Sequence, residues 1–169
     1  MSNNKIATCV VRAGINSDQH HGAVIPAIHL SSTYALKGFN DKRQFDYSRT
    51  GNPTRATFAN AIAELEHGAL GIVTSTGMSA VHLICQLLNS DDTVVIPHDC
   101  YGGSFRLFTH LAQRGQFKLM VVEQNDQLAL TQALAKKPKL VLIETPSNPL
   151  LRVVDIADIT KQAQQVGAL

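Results

Sequence analysis

The chain has 169 residues, a length that fits one domain or one domain with an arm. Hydrophobic residues make up 44% and charged residues 17%, which supplies a core and excludes a disordered chain. The 15 basic and 13 acidic residues give a net charge of +2 and are interleaved along the chain. Because they form no basic stripe, nucleic acid is not expected as a partner.

A membrane span, a secretory leader and a metal site are also not expected. No apolar run approaches the roughly 18–20 residues that cross a bilayer, and residues 1–5 contain no apolar signal core. The three cysteines (Cys9, Cys85 and Cys100) are odd in number and widely spaced, which favours reduced thiols. The seven histidines show no metal-ligand spacing. We therefore predict a cytoplasmic globular protein without a metal or a membrane partner.

The first part of the chain differs in pattern from the rest. Residues 1–50 show little periodicity and are interpreted as an extended arm. Asn52 and Pro53 then predict a helix start, and apolar residues at helical spacing continue this helix towards Gly68. A short strand is predicted over residues 71–74. The predicted organisation is an N-terminal arm over 1–50 followed by an incomplete larger domain over 51–169.

Helices and strands alternate after residue 74. Helices are predicted over 78–88, 104–114, 126–137 and 155–166, and strands over 93–97, 118–122 and 140–143. The strands are short, β-branched and apolar on both faces, which is typical of an α/β fold with a mainly parallel sheet. Residues 167–169 resemble the entry to another buried strand, so we expect the chain to be the front part of a longer protein.

Four candidate sites lie in turns or just after strands, where ligands of parallel sheets bind. Gly77 opens a helix, whose N-terminal amides suit a phosphate. Tyr101 precedes two glycines and offers a ring for stacking. Tyr47 and Arg49 offer a phenol and a guanidinium to a phosphate, and Asn148 stands in a proline-braced turn. Taken singly, each motif has a plain alternative as a turn, a packed loop or a solvated surface.

Together the motifs resemble one known family. They occur in the order DYSRTGNPT (46–54), STGMSA (75–80), HDCYGGS (98–104) and ETPSNP (144–149). The chain resembles the pyridoxal-phosphate-dependent (PLP-dependent) transsulfuration enzymes of the Cys/Met metabolism family over nearly its whole length. The resemblance implies a truncated large domain of the PLP-transferase-like fold (aspartate aminotransferase fold type I), with pyridoxal 5'-phosphate as cofactor.

The resemblance assigns four residues to the cofactor site. Gly77 and Met78 match positions whose backbone amides hold the cofactor phosphate. Tyr101 matches a catalytic tyrosine that stacks on the pyridine ring and shuttles protons. Asn148 matches an asparagine that lies near the phenolic oxygen of the cofactor and the carboxylate of the substrate.

Three further residues are implied to act at the edges of that site. Tyr47 and Arg49 match a pair that reaches the cofactor phosphate of a neighbouring subunit. Arg106 matches a position that helps to bind the distal acyl group of a homoserine ester. These roles imply self-association, as the homotetramer of the family, in which dimers share active sites.

The implied reaction is a γ-replacement on amino-acid substrates. Cysteine displaces succinate from O-succinylhomoserine and gives cystathionine on the route to methionine. Elimination from cystathionine at its γ or β carbon, or sulfhydrylation of O-acetylhomoserine, stays open, as does a non-catalytic truncated product. The Schiff-base lysine of the family is expected beyond residue 169, so we expect this chain alone to be inactive.

Overall fold

The computed structural model describes residues 5–16 and 18–169, which divide into two compact units, Met1–Thr74 and Ser75–Leu169. The first unit contains helices α1 (Ile6–Arg12) and α2 (Pro53–Leu65). The second unit contains four helices around a three-stranded sheet: α3 (Gly77–Cys85), β1 (Thr93–Pro97), α4 (Gly102–Gln113), β2 (Lys118–Val122), α5 (Gln127–Leu134), β3 (Leu140–Val141) and α6 (Ile156–Gln165).

Helix α1 lies inside the segment that the sequence predicts to be an extended arm. It packs against α2, and Sγ of Cys9 lies 3.6 Å from Oε1 of Glu64 in that helix. Seven residues are too few for a stable isolated helix, so α1 depends on its contact with α2 for stability. The proposed boundary at residue 50 stays a prediction.

Helix α2 begins where the sequence predicts it. Oδ1 of Asn52 accepts hydrogen bonds from the amides of Thr54 and Arg55 at 2.9 and 3.3 Å, and Pro53 occupies the first helical position. This arrangement satisfies two of the amides that a helix start leaves unpaired. The helix ends at Leu65, before the predicted stop at Gly68.

The strand predicted over residues 71–74 is wrong. In the described part of the chain this segment pairs with no strand. Gly71 instead lies directly on the backbone of Ala59 in α2, where a Cβ atom would overlap the Ala59 carbonyl. An apolar, β-branched run becomes a strand only when another strand is beside it, which composition alone does not reveal.

The sheet of the second unit is parallel and has the order β2-β1-β3. Val94 of β1 lies opposite Leu119 on one side and Leu140 on the other. The strands predicted over 93–97 and 118–122 are confirmed. The third is shorter than predicted, although the amide of Leu142 still donates to the carbonyl of Val95 at 2.8 Å.

The core lies on both faces of this sheet. Val94 and Ile96 point to a cluster that contains Phe108 of α4 and Phe117, whose rings meet edge-on at 6.0 Å. Val95, on the opposite face, packs with residues of α5 and α6. Alternate residues of one buried strand therefore serve two helical layers, which confirms the expected α/β class.

The chain ends beside β3. The amide of Leu169 donates to the carbonyl of Lys139 at 3.0 Å, and its carbonyl accepts from the amide of Val141 at 2.9 Å. This pairing agrees with the strand-like interpretation of residues 167–169. Among the described helices, none is both long and apolar enough to cross a bilayer.

Candidate cofactor site

The start of α3 presents backbone amides to its surroundings. Oγ1 of Thr76 accepts from the amide of Ser79 at 3.0 Å, and the carbonyl of Thr76 accepts from Ala80 at 3.1 Å. The amides of Gly77 and Met78 belong to the first turn, where the helix has no acceptor to offer. A Cβ atom at Gly77 would meet nothing within 4 Å, so the space beside the Cα of this glycine is open. Such a helix start suits an anion.

Tyr101 lies where β1 leads into α4. The residue is 54% exposed, and its amide donates a 2.8 Å hydrogen bond to Oε1 of Glu144, which follows β3. The side chain of Tyr101 makes no cap hydrogen bond with α4. A carboxylate from one strand end thus holds the backbone of a tyrosine at the neighbouring strand end.

The structure brings Tyr101 and Met78 together beside Gly103. A Cβ atom at Gly103 would lie 2.5 Å from Cε1 of Tyr101 and 3.0 Å from Sδ of Met78. Tyr101 therefore lies next to the side chain of Met78, the second residue of α3. This arrangement offers one surface for stacking and one cradle for an anion within the same unit.

Arg106 and Asn148 are both exposed in this unit. Nη1 of Arg106 would lie 3.3 Å from a Cβ atom at Gly102, so the guanidinium reaches back over the first turn of α4. Asn148 follows Ser147, which is buried and closes its turn with two hydrogen bonds to Arg152. The amide of Ser147 donates to the carbonyl of Arg152 at 3.0 Å, and Oγ of Ser147 accepts from the amide of Arg152 at 3.2 Å.

A cluster around Arg152 was not identified from the sequence. Its Nη1 lies 2.7 Å from Nε2 of His98 and 3.0 Å from Oε2 of Glu123. A hydrogen bond from Ser147 holds the pKa of the Asp99 carboxyl below its ordinary value. Each of these residues follows a strand or lies in the loop after β3. That shared position was the available signal, but the sequence does not reveal which strand ends are neighbours.

In the N-terminal unit, Tyr47 and Arg49 form a pair with each other. Nη2 of Arg49 donates to the Tyr47 hydroxyl at 2.7 Å, and Cζ lies 5.3 Å from the ring centroid, within cation–π range. The turn that carries them is held by Oγ1 of Thr50, which donates to Asp46 at 3.1 Å, and by Arg55, which donates to the Arg49 carbonyl at 3.2 Å.

The residues of the second unit fit a flat, phosphorylated ligand. Open amides at Gly77 and Met78 suit a phosphate, and the exposed ring of Tyr101 suits an aromatic ring beside it. In the portion that the structure describes, no three histidine, cysteine or acidic side chains are grouped to hold a metal ion. The individual roles of the seven candidate residues stay predictions.

Comparison with known proteins agrees with this chemistry. A protein relative, cystathionine gamma-synthase of Escherichia coli, is 58% identical over 98% of this chain and 43% of its own length. A cystathionine beta-lyase of Lactococcus lactis is 36% identical over 97% of this chain and 43% of its own length. The chain thus spans less than half the length of these relatives.

Solved structures give the same picture. Cystathionine gamma synthase of Xanthomonas oryzae pv. oryzae, in complex with aminoacrylate and cysteine, superposes with a TM-score of 0.93 at 52% identity, over 99% of this chain and 44% of that one. Cystathionine gamma-lyase of Lactobacillus plantarum, complexed with L-serine, superposes with a TM-score of 0.88 at 36% identity. The match covers 98% of this chain and 43% of that one. The family model described as Cys/Met metabolism PLP-dependent enzyme matches residues 7–169. The chain therefore belongs to the Cys/Met metabolism family of PLP-dependent enzymes.

Proposed function

We propose that this chain forms the cofactor-binding part of a cystathionine γ-synthase that works in methionine biosynthesis. The observation that carries the proposal is the difference in identity, 58% to a cystathionine gamma-synthase against 36% to a cystathionine beta-lyase over the same part of the chain. Membership of the family and the geometry of the site support PLP as the cofactor. The sequence identity supports the choice of activity within the family.

The proposed reaction exchanges one group at the γ carbon of O-succinylhomoserine. The bond between Cγ and the ester oxygen breaks, a bond between Cγ and the cysteine sulfur forms, and the thiol proton is released. The products are cystathionine and succinate. Bound PLP supplies an electron sink that lowers the cost of removing protons from the carbons near the substrate amino group.

The described residues of the second unit would bind and orient the reacting groups. The amides of Gly77 and Met78 would donate to the cofactor phosphate at the positive end of α3. Tyr101 would stack on the pyridine ring and, through its hydroxyl, hold or move a proton near the substrate. Its exposed ring and its Glu144-bound backbone support this role.

Two further residues would recognise the substrate. The exposed guanidinium of Arg106 matches the charge of the terminal carboxylate of a succinyl group. Asn148, on the turn closed by Ser147 and Arg152, would donate its amide to the substrate carboxylate or to the phenolic oxygen of the cofactor. Both contacts orient the substrate and do not take part in bond breaking.

We further propose that Tyr47 and Arg49 serve the site of a neighbouring subunit in a cytoplasmic homotetramer. Their mutual hydrogen bond and the braced turn from Asp46 to Gly51 hold a phenol and a guanidinium ready for a phosphate. A phosphate bound both by helix amides and by an arginine from another subunit would couple cofactor binding to assembly.

The experiment compares substrates on the purified full-length protein. O-succinylhomoserine with cysteine should give cystathionine and succinate in equal amounts, while cystathionine alone should give little keto acid or ammonia. Faster release of keto acid and ammonia from cystathionine would assign a lyase instead. Preference for O-acetylhomoserine with sulfide would assign a sulfhydrylase, and no turnover with any substrate would favour a non-catalytic product.

A further inference from the structure

Gly103 occupies a position where a side chain has no room. Its φ lies outside the left-handed region, so the backbone itself does not require glycine there. A Cβ atom would lie 2.5 Å from Cε1 of Tyr101, and 3.0 Å from Sδ of Met78. Glycine is therefore required at this position because a larger residue would collide with these two neighbours.

The preceding glycine provides a contrast. A Cβ atom at Gly102 would come near only Nη1 of Arg106, at 3.3 Å. That atom is the far end of a flexible side chain, which can move aside at little cost. Of the two adjacent glycines at the start of α4, only Gly103 faces the ring of Tyr101 and Sδ of Met78.

The backbone of Tyr101 is anchored and cannot relieve such a contact freely. Its amide donates to Oε1 of Glu144 at 2.8 Å, and its carbonyl accepts from the amide of Phe105 at 3.0 Å within α4. Non-bonded carbon atoms pack best at about 3.5–4.0 Å, so a methyl group at Gly103 would displace the ring by about 1 Å or more.

We propose that Gly103 is a positioning residue that sets the place of the Tyr101 ring against the first turn of α4, beside Met78. The packing is a property of this chain, whereas its consequence for PLP rests on the proposed function. A stacking ring that is displaced by about 1 Å loses contact with a planar ligand whose phosphate is fixed elsewhere. Gly103 would thus control both the position of the ring and the affinity for the cofactor.

The test compares Gly103→Ala with Gly102→Ala in the full-length protein. Both changes add the same methyl group at a helix start, so their effects on helix propensity are matched. PLP binding is titrated on the cofactor-free protein, and the ring of Tyr101 is followed by fluorine NMR after labelling with 3-fluorotyrosine. We expect Gly103→Ala to weaken PLP binding at least tenfold and to shift the Tyr101 resonance, and Gly102→Ala to stay within threefold without that shift.

A second pair of variants removes the ring. In the Tyr101→Ala background, Gly103→Ala should weaken PLP binding by less than twofold further, because the ring is gone and the flexible thioether of Met78 can move aside at little cost. An equal loss with and without the ring would overturn the proposal. So would an unchanged fluorine resonance in Gly103→Ala.

The outcomes separate this proposal from the proposed function. If Tyr101→Ala binds PLP as well as the unchanged protein does, the proposed stacking role of Tyr101 is wrong. The fluorine shift of cofactor-free Gly103→Ala still tests whether Gly103 sets the position of the ring. If Gly103→Ala does not fold, the double variant with Tyr101→Ala should fold again. Failure of both to fold would overturn the proposal.

Discussion

Nη1 of Arg152 lies 3.0 Å from Oε2 of Glu123, which ties the loop after β3 to the carboxyl end of β2. The same nitrogen lies 2.7 Å from Nε2 of His98 after β1. One guanidinium therefore joins the loops that follow all three described strands. Asn148, a proposed substrate-binding residue, lies in the loop that the backbone of Arg152 closes against Ser147.

The Arg152→Ala variant tests the contribution of this cluster. Since Arg152 and Glu123 are 39% and 41% exposed, solvent screening limits their contribution, and we expect a loss of about 1 kcal/mol in the free energy of unfolding. Urea unfolding of the full-length protein measures it. The control is Lys118→Ala, because its ion pair with the 99% exposed Asp91 spans 3.8 Å and should contribute nothing measurable. Equal losses in the two variants would contradict a special role for Arg152.

The side chain of Asn52 joins α2 to the preceding arm. Besides capping α2 through Oδ1, Asn52 shares the two protons of Nδ2 among three acceptors at 3.1–3.2 Å: the His29 carbonyl, the Tyr34 hydroxyl and Oγ of Ser48. We expect Asn52→Ala to lower the free energy of unfolding by about 2–3 kcal/mol, since it loses the cap and the link. Urea unfolding and hydrogen exchange of the α2 amides measure the effect.

Two variants separate the cap from the link. Asn52→Asp keeps the cap acceptors and loses the donors, so its loss should be about half as large. Asp126→Ala removes a cap alone, where Oδ1 accepts from the amides of Leu128 and Ala129, and should cost about 1 kcal/mol. An Asn52→Ala loss no larger than that of Asp126→Ala would show that the link to the arm contributes nothing.

Arg49→Ala tests the proposed sharing of sites between subunits. If Arg49 has the proposed role, the change removes a charge-assisted contact of about 1.5–3 kcal/mol to the cofactor phosphate, so PLP should be lost roughly 10- to 100-fold more readily on dialysis. Tyr47→Phe keeps the ring below the guanidinium and loses only the hydroxyl, so its effect should be smaller.

Mixed oligomers show whether Arg49 acts in its own subunit or in a neighbouring one. If Arg49 serves a neighbouring site, a mixture of Arg49→Ala and Tyr101→Ala subunits should recover activity, because some sites then contain neither change. The absence of recovery in oligomers verified as mixed would mean that the turn acts within its own subunit.

The buried thiol of Cys100 predicts a pH dependence. Burial, followed by the nearby Glu144 carboxylate, raises the pKa of Cys100 from 9.0 to about 11. The unfolded chain loses this proton at lower pH than the native protein, so the stability contribution is complete below about pH 9 and falls as the pH rises towards 11. Urea unfolding between pH 8 and 10.5 should show a fall that is smaller in Cys100→Ala.

The Glu144→Gln variant checks the cause. Removing the negative charge should lower the pKa of Cys100 and so speed its alkylation by iodoacetamide at pH 9 in the native protein. Thr131→Ala, at an exposed position of α5, serves as the control and should leave the rate unchanged. A Glu144→Gln variant with an unchanged rate would assign the raised pKa of Cys100 to burial and the Asp99 carboxylate, without a contribution from Glu144.

Sequence alone predicts those elements that local chemistry determines. Asn52 followed by Pro53 predicts a cap, and the β-branched runs over 93–97 and 118–122 predict strands, as observed. Residues 71–74 have the same character but lie on α2, because partners and not composition make a strand. Helix α1 was missed for the converse reason, since its packing partner lies far along the chain.

The candidate site shows the same limit. Gly77 and Tyr101 could be identified because each stands at a strand end or helix start with distinctive neighbours in sequence. The bond from the Tyr101 amide to Glu144, and the meeting of Arg152 with Glu123, depend on which strands lie side by side. The spacing of residues along the chain does not reveal the order of the strands in the sheet. These contacts could therefore be identified only from the structure.

The central place of β1 in the sheet has a consequence for synthesis. Val94, Val95 and Ile96 are fully buried, yet β1 precedes both of its neighbours along the chain. On a ribosome its apolar run is made first and gains its partner on one side only when β2 follows, and on the other only when β3 follows. During that interval the apolar run lacks its neighbouring strands, and a pause in translation between Pro97 and Lys118 would lengthen its exposure.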